Sequence, residues 1–377
     1  MKKKLRCNNC LVTNTCENTV IDENSICNHC NDVKNGNIPK TKHLLSKDEK
    51  QKYINDLDNL LKNTKGKKDY DCVVGFSGGK DSMYLVYKLK KDYPNLRILA
   101  VTVTVGYVFN KNAEKNLSEI LAKLDVDHVT IKPRADFYKK FFTYLLNNRI
   151  PGGYKKGSYD SEVISKENSS VCVYCHGIIH DILLNYAAQN EIPLQITGAS
   201  PAQPLYWFYK QDEEELSKPN IPYFMNEEPF NERDRLYCWD PNRYPNLEKL
   251  PIALFPFHVW DYDSEKIRQI IYDAGLISSY KSSSMLRTNC LLNQLMSYVD
   301  LRIDGNFNML PYIGFLIRNG FSDKKKWRTT VFLVEKILLR TKNPSIKKLE
   351  KEFGINVDDL IGKFKHQQIK ATNKSQI

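Results

Sequence analysis

Residues 71–82 read Asp-Cys-Val-Val-Gly-Phe-Ser-Gly-Gly-Lys-Asp-Ser. An apolar run, Cys72 to Phe76, stops at Ser77-Gly78-Gly79-Lys80-Asp81-Ser82, and apolar residues resume at near-helical spacing with Tyr84, Leu85, Tyr87 and Leu89. The pattern predicts a strand, a glycine turn and a helix. Adjacent glycines let the backbone approach a ligand closely, Ser77 and Ser82 add hydroxyl donors, and the free amides and dipole of a helix start favour an anion. That is chemistry for phosphate. The spacing fits neither the GxxxxGK[ST] of a Walker A loop nor the GxGxxG of a dinucleotide fold.

The ten cysteines are the second chemical set. Cys7/Cys10 and Cys27/Cys30 are CxxC pairs at the spacing of a four-cysteine zinc ribbon, expected over residues 1–45. Cys16 and His29 are surplus potential ligands and read as bystanders. So short a segment has little core, and Zn²⁺ would supply much of its stability. Further along, Cys172-Val173-Tyr174-Cys175-His176 precedes a predicted helix from Ile178 to Asn190. Thiols at the mouth of a helix have lowered pKa values and can bind a metal or carry sulfur. The same run matches a c-type haem attachment motif, but its single occurrence inside a nucleotide-type fold speaks against that.

The elements that position these groups follow from periodicity. Leu96 to Val105 reads as a buried parallel strand, Asn112 to Leu124 as a helix, His128 to Ile131 as a strand, Ala135 to Asn147 as a helix and Pro193 to Thr197 as a fourth strand. Such alternation predicts an α/β fold, a doubly wound parallel sheet with its ligand beyond the strand C-termini. Ser77 and Thr104 would face one crevice, and Thr197-Gly198-Ala199-Ser200 would end at the same edge. Asp32 to Asp69 reads as a linker and a helix. Arg149 to Ser170 is a polar connector, either a mobile cover for a substrate or a disordered insertion. Pro201 to Trp260 is rich in proline and aromatic residues and carries no motif; it is either a substrate pocket or packed irregular chain. Glu265 to Tyr272, Ser284 to Tyr298 and the tail through Ile346 to Phe364 read as helical. The expected domains are residues 1–45, 46–200 and 201–377.

The chain has 377 residues, 41% of them hydrophobic, and a net charge of +12. No run approaches 18 apolar residues, and no apolar stretch follows the basic N-terminus, so the expectation is a soluble cytoplasmic protein with no membrane partner. Basic clusters at Lys2-Lys3-Lys4, Lys67-Lys68, Lys90-Lys91, Lys155-Lys156 and Lys324-Lys325-Lys326 serve either a polyanion or merely solvated faces.

The hexapeptide Ser77 to Ser82 closely resembles the PP-loop of ATP pyrophosphatases, the adenine nucleotide alpha-hydrolase superfamily. The resemblance implies that ATP is split into AMP and pyrophosphate while a substrate is adenylated. It places pyrophosphate on the amides of Gly78, Gly79 and Lys80 and the hydroxyls of Ser77 and Ser82, gives Lys80 and Asp81 catalytic roles with Mg²⁺ on Asp81, and sets Gly198 in a turn near the nucleotide. Thr104 stands where that family would have an acidic or amide residue.

Cys172 and Cys175 resemble the CxxC of PP-loop tRNA thiolases, in which a lone distant cysteine completes a [4Fe–4S] site with one iron open. The implied third ligand is Cys290, with Cys238 as its rival; buried structural cysteines are the alternative. A second resemblance is to the N-acetyl sugar amidotransferases of surface-glycan pathways. It rests on the CxxC pairs with Thr19-Val20-Ile21-Asp22-Glu23-Asn24-Ser25-Ile26 between them, on the loop, on Asn116-Leu117 through Asp127-His128-Val129 and Lys132-Pro133, and on Leu316-Ile317-Arg318-Asn319-Gly320-Phe321-Ser322. It spans residues 7–133 and a short tail piece. The first likeness implies sulfur transfer to a tRNA or small molecule with a sulfur donor; the second implies ammonia from a partner glutaminase and an N-acetyl sugar acceptor. A third class, an ATP-binding scaffold without turnover, is disfavoured by the intact loop.

Overall fold

The computed structural model describes residues 3–16, 19–36, 46–105, 111–148, 170–200, 209–278, 290–338 and 340–374. The chain forms two compact units, neither of them contiguous in sequence. One comprises Met1–Pro39, Lys139–Val173 and Leu291–Ile377, the other Lys40–Tyr138 and Tyr174–Cys290.

In chain order the longer helices and the strands are α1 (Asn28–Asn35), α2 (Lys47–Asn63), β1 (Cys72–Gly75), α3 (Lys80–Asp92), β2 (Ile98–Val103), α4 (Lys111–Leu124), β3 (Asp127–Ile131), α5 (Ala135–Asn148), α6 (Ser170–Gln189), β4 (Leu194–Thr197), β5 (Ile252–Leu254), α7 (Ser264–Asp273), α8 (Leu292–Ile303), α9 (Leu310–Arg318), α10 (Lys324–Leu333), α11 (Pro344–Phe353) and α12 (Val357–Lys374). α2 starts where Ser46 and Glu49 satisfy each other's free amides in a capping box. Connections of strand, helix and parallel strand then build a five-stranded sheet of order β3-β2-β1-β4-β5, all neighbours parallel. The α/β fold and the four expected strands are present.

β1 is central, with Gly75 opposite Val101 on one side and Thr197 on the other. The order runs outward from β1 to β2 and β3, then reverses to β4 and β5. Between β1 and β4 the crossovers leave in opposite directions, which opens a crevice at the C-terminal edge. β1, β2 and β4 are buried along nearly their whole length, while β3 at the sheet's edge stays partly exposed; Val74, Phe76, Ala100 and Ile196 pack with Leu85 and Leu89 of α3 and with Ile267 and Ile271 of α7 in one apolar cluster. At the opposite edge Asp71 is fully buried and accepts bonds from Arg97 Nη2 at 2.6 Å and from the amides of Gly66 at 2.8 Å and Arg97 at 3.0 Å. Burial alone would raise its pKa; the Arg97 hydrogen bonds outweigh that and hold it down to about 2.

Two features depart from expectation. β5 lies within the segment that carried no motif, and α6 begins at Ser170 rather than Ile178, so Cys172 and Cys175 sit inside the helix. Val171–Gln189 is long and apolar enough to cross a membrane by length and composition, but 67% of that window is buried within the protein, as in a core helix. The expected connector falls, at residues 149–169, outside the described residues, as do 201–208 of the proline-rich stretch and 284–289 of one expected helix.

Candidate nucleotide and metal sites

The Ser77–Ser82 loop lies where β1 ends and α3 begins, beside the crevice between β1 and β4. Gly78 has φ +69°, a left-handed conformation that side chains with a Cβ rarely take. Gly79 is the N-cap of α3, and no side chain caps that end, so the first amides of α3 point out of the loop with their dipole. Two serines brace the turn from within. The Ser77 amide donates to Ser82 Oγ at 3.3 Å, Ser82 Oγ donates to the Gly79 carbonyl at 3.0 Å, and the Gly79 amide donates to Ser77 Oγ at 3.3 Å.

Neighbouring elements fix the loop from three sides. Thr102 Oγ1 donates to the Phe76 carbonyl at 2.6 Å, so it must accept from His128 Nε2 at 2.8 Å, which sets the imidazole tautomer. Burial lowers the His128 pKa and favours that neutral ring. Gly198, just beyond β4, passes so near α3 that a Cβ there would stand 3.3 Å from the Asp81 carbonyl oxygen and 3.3 Å from Phe257. Tyr262 is the third support: its hydroxyl donates to Asp81 Oδ1 at 3.1 Å and accepts from Lys80 Nζ at 3.0 Å, while Lys80 also donates to Asp81 at 2.5 Å. Thr104 follows β2 at the same edge and is buried. The structure therefore gathers Ser77 to Ser82, Thr104 and Gly198 at one edge of the sheet. Tyr262, Thr102 and His128 are additions the sequence did not disclose.

In the other unit, Cys7, Cys10, Cys27 and Cys30 are all buried and place their sulfurs within 4.8 Å of one another. Cys7 and Cys30 sulfurs are 3.8 Å apart, and those of Cys10 and Cys27 are 3.5 Å apart. Four thiolates about 2.3 Å from a tetrahedral ion have edges of about 3.8 Å, so the donor set fits zinc. Leu11, at φ +70°, turns the first knuckle. The amides of Asn9 and Cys27 donate to Cys7 Sγ at 3.4 and 3.3 Å. Hydrogen bonds among the four thiols push the pKa values of Cys7 and Cys10 down and those of Cys27 and Cys30 up, and a bound dication would favour the thiolate form of all four.

Among the described residues this tetrad is the one group of three or more ligands close enough for a single ion. Cys172 and Cys175 are one turn apart on α6, Cys172 half-buried and Cys175 buried; Cys290 is half-buried just before α8. Cys238 is fully buried, and its thiol donates to the Met225 sulfur at 3.6 Å. Burial raises its pKa well above the usual thiol range, so it behaves as a core residue.

No family model matches this sequence, and no curated protein matches it. Three of the solved structures to which the chain shows a similarity follow. The U34-tRNA thiolase NcsA from Methanococcus maripaludis, with its [4Fe–4S] cluster, is 15% identical and has a TM-score of 0.32, over 81% of this chain and 90% of that one. An NH₃-dependent NAD synthetase from Campylobacter jejuni is 14% identical at TM-score 0.31, over 81% and 92%. The NMN synthetase of Francisella tularensis is 13% identical at TM-score 0.34, over 78% and 97%. Scores this low carry no functional conclusion, which rests on the loop and the cysteines instead.

Proposed function

We propose that this chain is a PP-loop enzyme that splits ATP into AMP and pyrophosphate and adenylates a carbonyl or amide oxygen of its acceptor. The observation that carries this is the Ser77–Ser82 loop, with Gly78 in a left-handed conformation and the uncapped start of α3 at the reversal point of a parallel sheet. The β- and γ-phosphates would rest on the amides of Gly78, Gly79 and Lys80 and on the hydroxyls of Ser77 and Ser82. The acceptor oxygen attacks the α-phosphorus, the bond to the β-phosphate bridging oxygen breaks, and pyrophosphate leaves. Asp81 would hold Mg²⁺, which with Lys80 offsets the charge on that leaving group. Tyr262 holds Lys80 and Asp81 in register. The acceptor oxygen then departs with AMP when a second nucleophile adds.

The second nucleophile is proposed to be sulfur. Cys172 and Cys175, one turn apart at the start of α6, offer two thiols on one side of a helix, and Cys290 is the third ligand in preference to the sealed Cys238. A [4Fe–4S] cluster held there would supply an open iron for hydrosulfide. The other reading, amide transfer of glutaminase-derived ammonia to an N-acetyl sugar, is favoured by the likeness that spans residues 7–133 and 316–322.

Product analysis tests the first step. With Mg²⁺, ATP and a competent acceptor, AMP and pyrophosphate should accumulate together; ADP and orthophosphate would contradict the proposal. Anaerobic purification separates sulfur from nitrogen. A brown protein with iron–sulfur charge-transfer absorption supports sulfur, and a colourless protein holding only zinc supports nitrogen.

A further inference from the structure

The cysteine tetrad packs against α9. A Cβ added to Gly314 of that helix would stand 2.3 Å from Val12 Cγ1, 3.3 Å from the Cys10 carbonyl oxygen and 3.5 Å from Arg318 Nη1. The same point on α9 is flanked by both groups, so Arg318 Nη1 stands no more than about 7 Å from the Cys10 carbonyl oxygen of the first cysteine knuckle. The Arg318 guanidinium lies over the Phe315 ring, 5.4 Å from the centroid, and its Nη1 is buried with no hydrogen-bond partner among the described residues. A buried guanidinium N–H without an acceptor is costly. The knuckle it faces belongs to a tetrad of sulfurs that, with a divalent ion bound, would carry a net charge of about −2.

The surrounding chain holds this arginine in place. α9 ends beside it, with the Asn319 side chain donating to the Phe315 carbonyl at 2.9 Å, Gly320 at φ +77° and the Phe321 amide returning to the Leu316 carbonyl at 2.8 Å. On the ribbon side, Arg6 donates to the Leu11 carbonyl at 2.7 Å and through Nη2 to both Glu335 oxygens at 2.8 and 2.7 Å. Asn306, between α8 and α9, donates to the Thr15 carbonyl at 3.1 Å.

We propose that Arg318 is the charge-balancing partner of a divalent metal bound by Cys7, Cys10, Cys27 and Cys30, so that the ribbon and the Leu316–Ser322 segment form one metal site. Two stretches about 300 residues apart in sequence, 7–30 and 316–322, then have a single physical purpose. Arg318 positions and neutralises the thiolates without binding the ion. The inference rests on the metal assignment of the tetrad and is independent of the nucleotide chemistry.

Zinc competition against a chromophoric chelator, on the full chain, tests it. Arg318→Met keeps the aliphatic stem but loses the charge, and should weaken Zn²⁺ affinity about 10- to 100-fold. Arg318→Lys should recover most of that loss. Ile313→Val loosens the same helix at a buried position without touching the arginine or the ring beneath it, and should leave the affinity unchanged. Co²⁺ should show the same tetrahedral thiolate spectrum in all four proteins. An Arg318→Met protein that holds Zn²⁺ as tightly as the parent overturns the proposal, and so does an equal loss in all three variants, which would mean packing alone. A parent chain that binds no divalent metal would overturn the tetrad assignment beneath it while leaving the ATP loop untouched.

Discussion

The two compact units divide both the chemistry and the charge of this chain. The unit with the cysteine tetrad and the C-terminal helices holds 27 of the 56 lysines and arginines and 15 of the 44 aspartates and glutamates, which is the entire excess of +12. The unit with the sheet and the phosphate loop holds 29 of each and has no net charge. A loop that binds phosphate needs only local donors, the amides and hydroxyls of six residues, and these are fixed by backbone geometry. A polyanion is held instead by many dispersed cations, and screening by salt separates the two kinds of binding. Under the proposed function, nucleotide chemistry belongs to the neutral unit, and the basic one is the candidate surface for a large anionic acceptor.

The largest effect expected is from metal removal. Stripping Zn²⁺ with a zinc-selective chelator in the presence of excess Mg²⁺ should unfold the ribbon and lower the thermal transition of the basic unit, while ATP affinity, measured by equilibrium dialysis, stays as it was. Loss of ATP binding on chelation would break the division. Next is salt. If the acceptor is tRNA, affinity for total tRNA should fall steeply between low and physiological salt. Replacing Lys347, Lys348 and Lys351, all exposed on α11, by alanine should flatten the slope by roughly 0.7 to 0.9 for each phosphate that is no longer neutralised. A flat slope in the parent protein points to a small acceptor such as a sugar. Smaller still is Tyr262→Phe. Losing the hydroxyl that joins Lys80 to Asp81 should slow pyrophosphate release about three- to tenfold, the equivalent of one net hydrogen bond, with ATP binding little changed.

The smallest effect concerns acid. The folded-state pKa of Asp71, about 2, lies below its unfolded value. The unfolded chain therefore takes up the proton first as pH falls, and the stability this carboxylate contributes is present above about pH 4 and lost on the way to pH 2. Arg97→Met should lower the stability of the neutral unit near pH 7 and flatten its decline between those values. Urea titrations followed by tryptophan fluorescence would report it, and an unchanged acid slope would count against the Asp71–Arg97 lock.

Much of this architecture was legible in the sequence because its signals are local. Four strands stood out as β-branched apolar runs, the loop as a glycine pair between strand and helix, and the tetrad as two CxxC pairs. β5 was not, since three residues show no periodicity and its pairing with β4 comes from a connection of more than 50 residues. The start of α6 was hidden by Val171, Cys172, Val173 and Tyr174, poor helix formers of which Val171, Val173 and Tyr174 are held helical by burial. Tyr262 meets Lys80 across 182 positions, and Arg318 reaches the first cysteine knuckle across a still longer span; neither has a local pattern that announces a partner. What remained invisible was therefore what distant residues decide: the pairing that makes β5 a strand, the burial that lengthens α6, and the contacts of Tyr262 and Arg318.

The central claim is that the Ser77–Ser82 loop is a pyrophosphate cradle, and calorimetric binding of pyrophosphate and ATP to the parent protein and to Gly78→Val tests it most directly. Valine cannot take φ +69° without strain. In the parent protein, pyrophosphate and ATP should compete for one site; in Gly78→Val, affinity for both should fall at least about tenfold, the equivalent of about 1.4 kcal/mol, with zinc content unchanged. A Gly78→Val protein that binds both as tightly as the parent would contradict the account.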